Sequence, residues 1–223
     1  MTNLQQRAHQ VHQRLVEQYG KPTWRKDLSP IAELVSTILS QNTNDTNRDR
    51  AYERLRRRFP TWEQVRDADV EEIIEAIRVA GLANQKGPRI KNALEQITEL
   101  RGELSLDFLK DCPPEESFEW LVQFKGVGPK TASIVMLFAL DMPAFPVDTH
   151  VHRVTGRLGI RPETMSAEKA HDFLADLFPE DEFYTAHLNL IRLGREICQA
   201  RKPDCPNCPL QDLCDYYKKA YQS

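Results

Sequence analysis

The chain has 223 residues and a mass of 25.8 kDa, with 40% hydrophobic and 28% charged residues and 9 Gly, 14 Pro and 5 Cys. That length supports one large or two small domains with buried cores. A mean hydropathy of -0.56, the lack of an apolar run of about 18 residues and the lack of low-complexity tracts exclude a membrane span and a disordered chain.

The first twenty residues hold no apolar segment of the secretory kind, which points to a soluble cytoplasmic protein. Ser29 before Pro30 predicts a helix start, with an amphipathic helix to about Ser40. Residues 46–59 predict an Arg-rich helix. Within it, 48–58 carry six Arg against two acids, a local +4, and 192–202 come to +3. Acids gather elsewhere, with -5 over 62–76, -5 over 103–119 and -6 over 163–183. The net charge of -3 therefore hides segregated basic and acidic segments. Thr61-Trp62-Glu63-Gln64 is a capping box. In 69–79, Val70, Ile73, Ile74 and Ile77 recur at helical spacing. Further helical patterns cover 86–100, 114–123, 129–140, 148–158, 167–177 and 183–198. No segment alternates as a half-buried strand would, so the expected fold class is all-α, roughly ten to twelve helices.

Residues 129–140 are apolar nearly all round after Thr131, which predicts a helix buried on every side. Before it stands Gly126-Val127-Gly128-Pro129-Lys130. Gly128 reads as the N-cap and Pro129 as N1, which makes Lys130 the N2 residue. With the preceding helix this is a helix–hairpin–helix, whose glycines and unpaired N–H groups suit a DNA phosphate. A Gly-x-Gly bend alone favours a plain helical corner. Lys130 adds chemistry. The helix dipole and partial burial both favour its neutral amine, a nucleophile able to form a Schiff base.

Eighteen residues after Lys130, a proline-bounded loop, Pro143-Ala-Phe-Pro146-Val-Asp148, feeds Asp148 into the next helix. Asp148 suits an N-cap and also a carboxylate that accepts a proton or steadies a developing cation. His150 and His152 read as capping or packing residues. Cys198, Cys205, Cys208 and Cys214 have the spacing C-x6-C-x2-C-x5-C. In a reducing compartment this spacing is a metal site, either tetrahedral zinc or an iron–sulfur cluster. Cys112 stands alone and reads as an ordinary semi-buried thiol.

The Gly-Val-Gly-x-Lys hairpin, the Pro-Val-Asp loop and the four-cysteine motif together resemble the endonuclease III family of helix–hairpin–helix DNA glycosylases, from about residue 29 to Cys214. The resemblance implies two helical lobes: a six-helix barrel over 24–142, and a [4Fe-4S] cluster lobe from 1–23 plus 143–223. It places Lys130 on the family's Schiff-base lysine, Asp148 on its catalytic carboxylate and the four cysteines on the cluster ligands. Arg201 and Lys202 look like its phosphate-binding basic loop, and Leu82 like its leucine wedge. Where the family has a Gln that fills the hole left by the extruded base, an ungapped match puts Asn42, with Gln41 one residue early. Phe124-Lys125 replaces a common Leu-Pro, which makes Lys125 a further phosphate contact. Asp204 replaces a frequent basic residue. The implied function is a bifunctional glycosylase and abasic-site lyase. It would act as a monomer on double-stranded DNA with oxidised pyrimidines or abasic sites, in the cytoplasm or at a nucleoid. The alternatives are a monofunctional mismatch- or uracil-type glycosylase and a non-catalytic iron–sulfur module for DNA binding or redox sensing.

Overall fold

The computed structural model of the chain describes residues 2–23 and 28–221. It divides into two compact units, Met1–Arg25 with Pro143–Ser223, and Lys26–Met142. The boundary expected at residue 24 lies outside the described residues. Every regular element among the described residues is helical, and no helix there is long and apolar enough to cross a membrane.

The unit Lys26–Met142 holds α2 (Pro30–Ser40), α3 (Asp45–Arg58), α4 (Trp62–Asp67), α5 (Val70–Ile77), α6 (Ala83–Arg101), α7 (Pro114–Val122) and α8 (Pro129–Val135). Local signals set several starts. The Ser29 hydroxyl accepts from the Ala32 N–H, and Thr61 with Gln64 closes the expected capping box. Helix α2 packs on α8, α3 and α6, and α6 packs on α5 and α4. Leu34, Ile38, Leu55, Ile73, Ile90 and Leu94 are fully buried, each contributing about 1.5–3 kcal/mol through its removal from water.

The apolar segment after the hairpin is buried as expected but is not one α-helix. The α pattern stops at Val135, and Met136–Leu140 form a π-helical turn that ends at Asp141 with φ 59°. The wider turn still buries Met136, Leu137, Ala139 and Leu140. The longer i→i+5 ring of that turn adds no hydrophobic periodicity of its own, so the sequence pattern does not reveal it.

The other unit holds α1 (Asn3–Tyr19), α9 (Thr149–Arg157), α10 (Ala167–Ala175), α11 (Phe183–Glu196) and α12 (Asp215–Tyr221). Thr2 and Gln5 form a capping box on α1, which buries Ala8, Val11 and Leu15 and packs on α11. Polar ties join α1 to distant residues: Arg7 to Asp215 at 2.9 Å, and Arg14 to Asp212 at 3.1 Å and the Pro209 carbonyl at 2.9 Å. His12 meets Glu182 at 3.2 Å, and Lys21 pairs with the same carboxylate.

Candidate DNA-repair site

The hairpin between α7 and α8 is shaped by glycine where the backbone requires it. Gly126 has φ +94°, and a Cβ there would lie 2.6 Å from Arg89 Cδ. Side chains are excluded twice over, by conformation and by space. At Gly128, the N-cap, a Cβ would meet nothing within 4 Å. Internal packing therefore does not demand this glycine, and the room beside it is open. Phe124 is buried and sets its ring edge-on to Trp120 at 4.8 Å, which in turn meets Phe108 at 5.0 Å. The aromatic row anchors the hairpin at Phe124, and leaves Lys125 exposed.

Pro129 occupies N1 of α8 and Lys130 follows it at N2, as the sequence predicts. Lys130 is half-buried and, among the described residues, makes no hydrogen bond or ion pair. The first-turn N–H groups of α8 lie beside it without intrahelical acceptors.

Gln41 and Asn42, one position apart, have different roles. The Gln41 amide donates to the Gly126 carbonyl at 3.0 Å and accepts from Arg89 Nη1 at 3.0 Å. Both ends of its amide are committed to holding the hairpin. Asn42 is exposed in the left-handed region, φ 51°. Leu82 is its counterpart before α6, with φ 50° and 46% of its surface exposed. A solvent-facing leucine in a strained conformation is not there for packing.

In the other unit, the loop Pro143–Val147 is held from behind by two buried histidines. His171 Nδ1 lies 3.1 Å from the Phe145 carbonyl, and His187 Nδ1 lies 2.9 Å from the Pro146 carbonyl. Carbonyl acceptors require both Nδ1 atoms to carry the proton. The Phe145 ring stacks on Phe178 and meets Phe183 edge-on. Asp148 then caps α9, its Oδ1 accepting from the Val151 N–H at 2.7 Å. The other carboxylate oxygen has no protein partner among the described residues. His150 contacts Arg153 at 3.1 Å and His152 contacts the Met165 carbonyl at 2.9 Å, in the packing roles expected of them.

Cys198, Cys205, Cys208 and Cys214 are unpaired thiols that line one cavity. Burial pushes the Cys205 and Cys214 thiols up, and that of Cys208 up to about 11. These three sulfurs become thiolates only against a compensating metal charge. Among the described residues, no three Cys, His, Asp or Glu converge as a single ion requires. Four thiols around one cavity fit the donor set of an iron–sulfur centre. Arg157 of α9 reinforces the site. Its guanidinium lies 3.4 Å from Cys198 Sγ and donates to the carbonyls of Gln199 and Ala200 at 2.8 and 2.9 Å. Arg153 Nε donates to the Cys198 carbonyl at 2.9 Å. Arg201 and Lys202 are exposed on the loop that these bonds hold, and Cys112 is half-buried in the other unit, its Sγ 3.6 Å from the Phe108 carbonyl.

The sequence reading missed the supporting residues Lys86, Arg89, Arg153, Arg157, His171 and His187. One of them had a signal. Lys86 sits on the apolar stripe of α6 with Ile90, Ala93, Leu94 and Ile97, where a charge has no place without a purpose. His171, His187, Arg153 and Arg157 act on backbone carbonyls and Arg89 on the Gln41 side-chain amide, contacts between distant segments that no local pattern reveals.

Comparison with known proteins agrees with this geometry. Residues 35–180 match the HhH-GPD superfamily of base excision DNA repair proteins, and residues 198–214 match the iron-sulfur binding domain of endonuclease III. The chain is 34% identical over 220 residues to the endonuclease III of Sulfolobus acidocaldarius, covering 94% of this chain and 96% of that one. It is 33% identical over 198 residues to the endonuclease III of Thermotoga maritima, covering 89% and 88%. A solved non-covalent endonuclease III–DNA complex superposes with a TM-score of 0.85 at 28% identity over 100% of both chains. The cofactor is the [4Fe-4S] cluster of that family. With its hairpin, its capped carboxylate and its four-thiol cavity, the chain belongs to the HhH-GPD superfamily of base-excision repair proteins, as an endonuclease III-like DNA glycosylase.

Proposed function

We propose that this glycosylase excises oxidised pyrimidines from double-stranded DNA and then cuts the strand at the abasic site, with Lys130 as its amine nucleophile. One observation carries the reading: a half-buried lysine at N2 of α8, directly after the glycine hairpin, with no partner among the described residues. A structural lysine has no reason to stand unpaired at the positive end of a helix.

The target base lies inside a duplex and must be extruded, which costs a few kcal/mol. Oxidised, non-planar pyrimidines stack poorly and cost less. Leu82 and Asn42 fill the vacated stack, and the hairpin N–H groups with Lys125, Arg201 and Lys202 hold phosphates. The Lys130 amine attacks C1′, the bond from C1′ to the base breaks, and the base leaves with a proton. Asp148 takes up the proton released by the amine or steadies the cationic sugar, through the carboxylate oxygen that its capping role leaves over. Opening of the sugar gives an imine between Lys130 and C1′. Loss of a C2′ proton then expels the 3′-phosphate and nicks the strand.

Cys198, Cys205, Cys208 and Cys214 are the residues that would hold the [4Fe-4S] cluster, which would cross-link the loop bearing Arg201 and Lys202 when bound. The enzyme is read as a monomer that meets lesions and existing abasic sites in the cytoplasm or at a nucleoid.

Borohydride trapping on a duplex with one oxidised pyrimidine tests the reading. The wild type should form a covalent protein–DNA adduct and a nicked strand. Lys130→Gln should lose both, by at least about a thousandfold, while binding the duplex within a few-fold of wild type. Base release without an adduct would identify a one-step glycosylase instead. Binding without release or adduct would identify a non-catalytic module.

A further inference from the structure

Lys86 is 1% exposed and lies among the largest fully buried side chains. Among the described residues it has no carboxylate partner. Its ammonium instead donates to the Leu39 carbonyl at 2.8 Å, the Ala80 carbonyl at 3.0 Å and the Thr43 hydroxyl at 3.2 Å. The Thr43 hydroxyl also bonds the Ala80 carbonyl. Three donors from one atom meet three acceptors from two segments, a set that no neutral side chain supplies.

Those segments carry the two exposed residues described above. Leu39 and Thr43 bracket Asn42, and Ala80 stands two residues before Leu82. Only three non-glycine residues among the described ones have positive φ: Asn42, Leu82 and Asp141. Two of the three flank the Lys86 knot. Left-handed turns at such residues persist only where their surroundings impose them. A buried ammonium is a poor choice for stability alone, because an apolar side chain of similar volume avoids its desolvation. Burial lowers its pKa to about 8. The three acceptors oppose that shift, because a neutral amine would turn a lone pair toward one of them.

We propose that Lys86 is a positioning residue for base extrusion, its ammonium clamping the Asn42 and Leu82 turns in the one arrangement that enters the base stack together. The inference rests on the reading of Asn42 and Leu82 as the residues that fill that stack. Lys86 touches neither DNA nor reacting atoms. It fixes the distance and tilt of two probes that must act in concert.

The test uses a duplex with a tetrahydrofuran abasic analogue opposite 2-aminopurine, whose fluorescence rises when its stack is invaded, together with single-turnover excision of an oxidised pyrimidine. Lys86→Met, which leaves the Leu39 and Ala80 carbonyls without the ammonium, should melt lower than the wild type but stay folded at the assay temperature and bind the duplex within about threefold. Its fluorescence gain should fall at least threefold and its excision at least tenfold. Adding Lys86→Met to Leu82→Ala should weaken excision by less than twofold beyond Leu82→Ala alone, because both remove the same action. A wild-type fluorescence gain, or losses that multiply in the double variant, overturns the proposal. Should Lys86→Met fold poorly, Thr43→Val removes one acceptor and the Ala80 bond while leaving the lysine. It should lower the fluorescence gain about twofold, and an unchanged gain overturns the proposal there. A wild type that neither excises nor unstacks refutes the reading of the function itself, before Lys86 is altered.

Discussion

The capping role of Asp148 and the catalytic role proposed for it can be separated by substitution. Its Oδ1 caps α9 through the Val151 N–H, and asparagine caps nearly as well as aspartate. Asp148→Asn should therefore leave the melting temperature almost unchanged while slowing base excision at least a hundredfold. Asp148→Ala should lose the activity and also about 1 kcal/mol of stability. Near-normal turnover of the asparagine variant would leave Asp148 a cap and nothing more. Gly126 offers a purely structural contrast. An alanine there meets Arg89 at a φ of +94°, so Gly126→Ala should cost about 2 kcal/mol or more in urea unfolding. At this scale placement was legible where a residue type carries its own conformation or spacing, as with Lys130 at N2, Asp148 at an N-cap, the hairpin glycines and the cysteines around one cavity. It was illegible where a side chain is held by a distant main-chain carbonyl, as with Lys86 on Leu39 and Ala80, or His187 on Pro146.

Helix starts were legible for the same local reason, since Ser29, Thr61 and Asp148 satisfy their own first-turn N–H groups. The π-turn after Val135 was not, because periodicity alone does not distinguish it from a continued α-helix. The seating of α1 carries a pH dependence that follows from its ion pairs. Burial holds the His12 imidazole below its ordinary range of 6.5, against the pull of Glu182. Burial raises the Glu182 carboxyl, but Lys21 and His12 outweigh it and hold the group below the ordinary 4.5. Both shifts act in one direction. The unfolded chain takes up the His12 proton first as pH falls below 6.5, and the Glu182 proton first as it falls below 4.5, so acid favours unfolding in both windows. Stability measured by denaturant should therefore decline in two stages. Glu182→Gln should cost about 1.5–3 kcal/mol at pH 7 and flatten the stage below 4.5, leaving the one near 6 in place. Identical acid slopes for the two proteins would contradict this account.

Across the molecule, the division of the chain follows chemistry as well as packing. The unit Lys26–Met142 carries the hairpin, Lys130, Asn42 and Leu82, while Met1–Arg25 with Pro143–Ser223 carries Asp148 and the four thiols. Cys205→Ser or Cys208→Ser should give a colourless, poorly soluble protein lacking the brown absorbance of an iron–sulfur cluster. A well-folded, brown variant would remove that residue from the ligand set. The all-helical fold was legible throughout the sequence. The pairing of the first helix with residues some two hundred positions later was not, since nothing in α1 alone announces Arg7 to Asp215.

That pairing bears on how the protein is born. Helix α1 leaves the ribosome 208 residues ahead of the partner of its Arg7 and 198 ahead of that of its Arg14. Residues 28–142 are a contiguous stretch, free to condense during translation, whereas Ala8, Val11 and Leu15 stay uncovered until α11 and the segment beyond it have been synthesised. During that interval the apolar face of the nascent helix has no cover from its own chain.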